Sequence, residues 1–158
     1  MLDKELIEQI KTTTEEFFGK TTINILSLDV VVPDHDDNVE DVINLDVKLE
    51  EPQILIGQGG QTLFEIQRLL RMILNKKTQK VFYVSLDIND YKKKKIEYLE
   101  SLATTFADEV VANKEEKELP PMPPYERRII HAQLSQRKDI STESRGEGLE
   151  RHIVIKPL

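Results

Sequence analysis

Hydrophobic positions in the opening segment recur at steps of three and four. Leu2, Leu6, Ile10, Thr13 and Phe17 share one helical stripe and Gly19 follows where a C-cap glycine belongs, so the spacing predicts a helix over 3–18. Two runs rich in β-branched residues come next, 22–32 and 39–49, flanking the turn-forming Pro33-Asp34-His35-Asp36-Asp37-Asn38, and this is the pattern of a β-hairpin. Pro52 opens a short helical piece, Gln53-Ile54-Leu55-Ile56, which runs into Gly57-Gln58-Gly59-Gly60. Beyond the glycines, Leu63, Ile66, Leu70 and Ile73 return to helical spacing and predict a helix over 61–75, while 81–87 reads as a third strand. Ile96, Leu99, Ala103, Phe106 and Val110 then describe a long helix from 89 to about 112, roughly 34 Å if helical throughout, with Asn89 or Asp90 as its cap. The pattern dissolves over 113–118, and Leu119-Pro120-Pro121-Met122-Pro123-Pro124 is expected as an extended connector. Pro124 suits the first turn of a further helix to about Gln136, with Ile130 and Leu134 on its buried side. A glycine-bearing loop over 141–150 and a final strand over 151–156 complete an α+β chain, divided into a domain over 1–88 and a second over 89–158 that holds the Pro-rich connector at 119–124.

Composition narrows the classes. A chain of 158 residues suits one or two small domains. The absence of cysteine excludes a disulfide framework, a thiolate nucleophile and a Cys-ligated zinc site. No apolar run approaches the roughly 18 residues of a membrane span, and the start, Met1-Leu2-Asp3-Lys4-Glu5, is unlike a signal peptide, so the expected compartment is cytoplasmic. The net charge of −7 argues against a polyanionic partner until it is resolved along the chain. Residues 1–50 carry 13 acidic and 4 basic side chains, whereas 51–158 carry 16 acidic and 18 basic. Between Arg68 and Lys95 nine basic residues face only Asp87 and Asp90. Charge alone fits solvated faces equally well.

Chemistry-bearing residues fall in three places. The Gly57–Gly60 turn puts backbone without Cβ atoms beside a helix N-terminus, where phosphate approaches closely; as a bare GxxG pattern it is also a simple helix-turn-helix joint. No Lys-Ser/Thr follows, so it is not a P-loop. Arg68 and Arg71 lie outside the apolar stripe of the helix it opens. Lys92 to Lys95 occupy the first turns of the long helix, where the macrodipole disfavours cations by up to roughly 1 kcal/mol each; bound polyanion or plain screening offsets this. Arg127 and His131, four apart, share one side of a helix, with Ser135 and Lys138 continuing the ridge. A fixed cation, a partly protonated imidazole and a hydroxyl suit a phosphate oxygen and a base or ribose, although an isolated pair of this kind is more often a solvated helix face. Tyr91 and Tyr125, at helix starts, are expected to pack rather than stack on bases. No carboxylate or nucleophile is spaced to form a triad with His131, and Asp34 to Asn38 fails the EF-hand test because Val39 and Leu45 stand at the glycine and glutamate positions. The reading is non-enzymatic, with no cofactor and no metal.

A resemblance now becomes specific. The order of elements around Ile56-Gly57-Gln58-Gly59-Gly60-Gln61-Thr62-Leu63 resembles a type II KH domain. Met122-Pro123-Pro124-Tyr125-Glu126-Arg127-Arg128-Ile129-Ile130-His131 resembles the R-three-H motif, named for an Arg and a His separated by three residues. Together they are similar to the bacterial Jag (SpoIIIJ-associated, KhpB-like) proteins, and the similarity runs on through Ser141-Thr142-Glu143-Ser144 and Gly146-Glu147-Gly148 to Arg151-His152-Ile153-Val154-Ile155. The resemblance implies a type II KH-like domain followed by a small α+β R-three-H domain, in a protein that binds single-stranded RNA or DNA, with RNA as the expected ligand. Nucleic-acid contacts are then expected at Gly57, Gln58, Gly59, Gly60, Arg68, Arg71, Lys92, Arg127 and His131, and bases in a groove at Ile54, Ile56 and Leu63. Gln58 and Gly59 stand where related proteins often present Arg or Lys, so the clamp leans on backbone N–H groups. Many Jag-type proteins carry an additional N-terminal domain, and this chain is expected to lack it, beginning with the KH-like helix. Two linked sites raise affinity through effective concentration, and the acidic first fifty residues are expected to face away from the strand. The alternative is a protein-protein adaptor in cell-envelope regulation or membrane-protein insertion, whose partner is a KH-family or envelope-related protein.

Overall fold

The computed structural model describes residues 4–32 and 42–158. The elements run α1 (Lys4–Gly19), β1 (Ile25–Val31), β2 (Val42–Leu49), α2 (Gln53–Ile56), a 3-10 turn (Gln58–Gly60), α3 (Gln61–Thr78), β3 (Tyr83–Ile88), α4 (Tyr91–Asn113), β4 (Lys117–Glu118), α5 (Pro124–Leu134), β5 (Ile140–Arg145), a second 3-10 turn (Gly148–Glu150) and β6 (His152–Pro157). The fold is α+β, with two three-stranded sheets ordered β1-β2-β3 and β4-β6-β5. It divides into two compact units, residues 1–92 and 93–158. Among the described residues no helix is long and apolar enough to cross a membrane. The hairpin tip around His35, where the EF-hand comparison was made, and Leu2 lie outside the described residues.

In the first unit β2 pairs antiparallel with β1 and parallel with β3. A parallel neighbour requires a crossover, and α2, the glycine turn and α3 provide it. Ile43, Leu45, Val47 and Leu49 alternate onto the buried face of β2, where they meet Val84, Leu86 and Ile88 of β3 and Leu6, Ile10, Leu63, Leu70 and Leu74 from α1 and α3. The buried stripe of α1 is rotated from the expected one. Phe18 is fully buried, while Phe17 is only partly so and meets it edge-on with ring centroids 5.3 Å apart. On the outer sheet face Asp29, Asp46 and Asp87 lie side by side across all three strands. Burial first, then Asp87, Asp90 and Asp29, raise the Asp46 carboxyl above its ordinary range against the opposing pull of Lys48.

The cap of α4 differs from expectation. Asn89 and Asp90 both sit at positive φ, 51° and 57°. The Asn89 side chain is engaged with Leu49, accepting from its N–H at 2.8 Å and donating to its carbonyl at 3.0 Å, and Asp90 is paired with Lys48. Asp87 does the capping instead, its Oδ1 accepting from the Lys92 N–H at 2.9 Å and the Ile88 N–H at 2.8 Å.

In the second unit Leu99, Ala103, Ala107 and Val110 of α4 and Ile130 and Leu134 of α5 pack with Ile153 and Ile155 of β6. The loop expected over 141–150 is a strand for half its length: β5 pairs with β6 from Ile140↔Pro157 to Arg145↔His152. Only Ile140 of that strand is buried, so no apolar alternation marks it, and the ladder with β6 makes it a strand. On the other side of β6 lies β4, and the Pro-rich connector prolongs that edge: Leu119 N–H donates to Ile153 O at 2.8 Å and Met122 N–H to Arg151 O at 3.2 Å. Prolines are tolerated at such an edge, where their missing N–H costs no ladder bond. Helix α5 stops at Leu134, and the Ser135 hydroxyl turns back onto Ala132 O at 2.8 Å, so the ridge does not continue to Lys138.

Candidate nucleic-acid interface

The glycine turn is shaped by three positive φ values, +72° at Gly57, +61° at Gly59 and +80° at Gly60. Gly57 and Gly60 are also sterically required. A Cβ on Gly57 would fall 2.1 Å from Thr62 Oγ1, and one on Gly60 would fall 2.7 Å from the Tyr91 ring, which packs there as expected. Gly59 faces open space, and Gln58 is exposed. No side chain caps α3, so the N-terminal N–H groups of an 18-residue helix lie behind an open backbone turn.

Beside the turn lies a ledge of cations stacked on aromatic rings. Lys92, adjacent to Tyr91, places its ammonium 5.1 Å from the centre of the Phe64 ring and donates to Gln67 Oε1, which also accepts the Leu86 N–H at 3.0 Å. Burial lowers the Lys92 ammonium below its ordinary range while Asp87 opposes the shift. Further along α3 the Arg71 guanidinium lies 3.9 Å from the centre of the Tyr83 ring. Arg68 is exposed. Lys95 pairs with Glu126 at 3.5 Å, and Lys76 and Lys77 sit in the last turn of α3, where a cation suits the macrodipole. Part of the basic run therefore has a structural reason of its own.

The expected groove changes composition. Leu63 has no exposed surface and belongs to the core, which removes it from contact with a base. Ile54 is 70% exposed and Ile56 packs partly against the core. Phe64, Gln67 and Tyr83 were missed from sequence. The signal was faint: Phe64 follows the buried Leu63, and Tyr83 takes the exposed phase of β3 against Val84 and Leu86.

In the second unit Arg127 and His131 are one turn apart on α5. Arg127 Nη1 donates to the Met122 carbonyl at 2.7 Å, which anchors the guanidinium by one of its five N–H groups. His131 Nδ1 lies 2.8 Å from Thr142 Oγ1 and Nε2 lies 3.2 Å from Ser144 Oγ, both on β5. Burial, then the Arg127 charge, push the imidazole below its ordinary range, which favours the neutral ring. The hydroxyls of this site come from β5, not from Ser135. Thr142 and Ser144, two residues apart, have the spacing of one strand face, which a loop reading conceals. Tyr125 is more exposed than expected, at 40%. On the opposite sheet face Arg145 pairs with Glu116, Glu118 and Glu143, and Lys156 with Glu143, so those cations are already matched. Among the described residues no cluster of His, Asp or Glu is arranged to hold a metal ion.

Comparison with known proteins bears on both units. The R-three-H domain family matches residues 97–157. The RNA-binding protein KhpB of Clostridium symbiosum is 41% identical over 116 residues, covering 73% of this chain and 52% of that protein. Its namesake in Bacillus subtilis (strain 168) is 34% identical over 148 residues, covering 92% and 66%. That in Streptococcus pneumoniae is 30% identical over 149 residues, covering 94% and 44%. The chain thus spans between 44% and 66% of the length of these relatives. It belongs to the KhpB (Jag-like) family and carries an R-three-H domain in its second unit.

Proposed function

We propose that the chain binds single-stranded RNA through two surfaces, one in each unit, and that the first unit is a KH-like module. The observation that carries this reading is the uncapped glycine turn packed against Tyr91 and its neighbour Lys92, with the Lys92–Phe64 pair near it and the Arg71–Tyr83 pair further along α3, a backbone cradle for phosphate on the same helix as cation-backed rings for bases. Gly57, Gln58, Gly59 and Gly60 would receive the phosphodiester, with Arg68, Arg71 and Lys92 supplying charge and Ile54 and Ile56 apolar contact. Arg127 would hold a second phosphate. His131, held between two hydroxyls, would act as a positioning residue that presents Thr142 and Ser144 to a ribose or phosphate oxygen. The relatives' name, RNA-binding protein, supports RNA as the ligand class.

The test is fluorescence anisotropy of short labelled RNA, single-stranded and duplex, with the 158-residue chain. Gly59→Asp and Arg127→Ala are each expected to weaken single-strand binding at least fivefold. Undiminished binding in both variants would instead favour a protein-protein adaptor.

A further inference from the structure

A cleft of about 260 Å³ opens in the second unit between Pro121, Met122, Pro123 and Pro124 on one side and Gly148 and Leu149 on the other, with Arg127 in its wall. Pro121, Pro123 and Pro124 are exposed, so their ring faces are open to solvent along the cleft. Leu149 projects from its 3-10 turn with 95% of its surface exposed, the most solvent-facing large apolar side chain among the described residues. The loop is held in shape by Gly146 at φ +82°, where a Cβ would meet Glu150 O at 2.8 Å.

The walls define the ligand chemistry. Proline has no N–H, and the one donor of the stretch 121–124, the Met122 N–H, is given to Arg151 O. The cleft therefore offers flat apolar faces and no backbone donor from that side, which suits the face of a planar ring rather than its hydrogen-bonding edge. The volume falls below the range typical of drug-sized ligands, roughly 300 Å³ upward, and fits a single nucleoside. Among the described residues the Arg127 guanidinium donates to the Met122 carbonyl alone, which leaves further donors of a fixed cation at the mouth. An apolar ring with an anion attached answers both features; a purely apolar peptide would leave the guanidinium unanswered.

We propose that this cleft receives one unstacked nucleobase of the bound strand between the prolines and Leu149, with the adjoining phosphate on Arg127. The inference rests on the reading of Arg127 as an RNA contact. Because the walls read ring faces, the slot accepts all four bases with little preference.

The experiment uses the 158-residue chain with single-stranded RNA, intact or carrying one abasic position, scanned along the strand. Leu149 packs on little, so Leu149→Ser leaves the fold intact and is expected to weaken binding threefold to tenfold. Leu149→Trp, a wider stacking surface, is expected to match or exceed the native affinity. One abasic position should cost a similar factor with the native protein and almost nothing further with Leu149→Ser, the non-additivity of two partners in one contact. If Arg127→Ala weakens binding but Leu149→Ser does not, or if the abasic and Leu149→Ser losses simply add, the base slot is wrong and the RNA-binding reading stands, with a protein segment left as the occupant to seek. If the native chain binds no single-stranded RNA, both fail together.

Discussion

Two glycines of one turn serve different ends. Gly57→Ala would drive a methyl group into the Thr62 hydroxyl, at a φ that an L side chain rarely adopts, and is expected to lower the thermal midpoint clearly. Gly59 has open space around it, and aspartate tolerates the left-handed region better than most residues. Gly59→Asp should therefore lower the thermal midpoint less than Gly57→Ala while losing RNA affinity, which separates a folding role from a binding role within a single turn. His131 makes the matching case for charge. Its folded-state pKa is lowered, so the unfolded chain binds more protons as pH falls through the ordinary histidine range, and the stability that the neutral ring contributes is present above that range and declines below it. An NMR titration of the His131 ring should give a midpoint below 6.5 in the free protein, and bound RNA should move it upward because phosphate favours the imidazolium.

At the scale of elements, the row Asp29–Asp46–Asp87 places like charges directly opposite one another across three strands, which works against pairing. The raised Asp46 pKa means that its charged form is disfavoured in the folded sheet, so its contribution to stability is better below the ordinary carboxylate range and is lost as pH rises through its folded pKa. Asp46→Asn should raise the urea midpoint at pH 7, with the advantage shrinking as the pH is lowered into that range. Leu63→Ala tests the opposite face: deletion from a fully buried site on α3 should cost about 2–5 kcal/mol in urea unfolding, as expected of a core residue rather than a groove residue. Strand β5 carries a similar lesson. Its register with β6 brings Thr142 and Ser144 to His131, so a change that unzips this ladder would reach the site without touching α5.

For the whole molecule, charge decides which faces can meet a polyanion. The aspartate row occupies the sheet face turned away from α1 and α3, and Arg145 and Lys156 are matched by glutamates, so neither of these faces favours phosphate as the glycine turn and the Arg127 site do. If each arginine neutralises one phosphate, Arg71→Ala and Arg127→Ala should each reduce the slope of log affinity against log salt by about 0.7, the value for a single strand. A set of titrations between low and moderate salt reads this directly. Local periodicity and glycine or proline punctuation were enough to determine the helices, the first hairpin, the glycine turn and the Arg-x-x-x-His pair, because each depends on residues close in the chain. What lies between distant residues was settled only by folding. Asp87 rather than Asn89 or Asp90 caps α4, Leu63 turns inward, polar β5 becomes a strand against β6, and burial beside Arg127 shifts His131 toward its neutral form. Pairing, burial and electrostatic environment are properties of neighbours in space, and a one-dimensional pattern does not contain them.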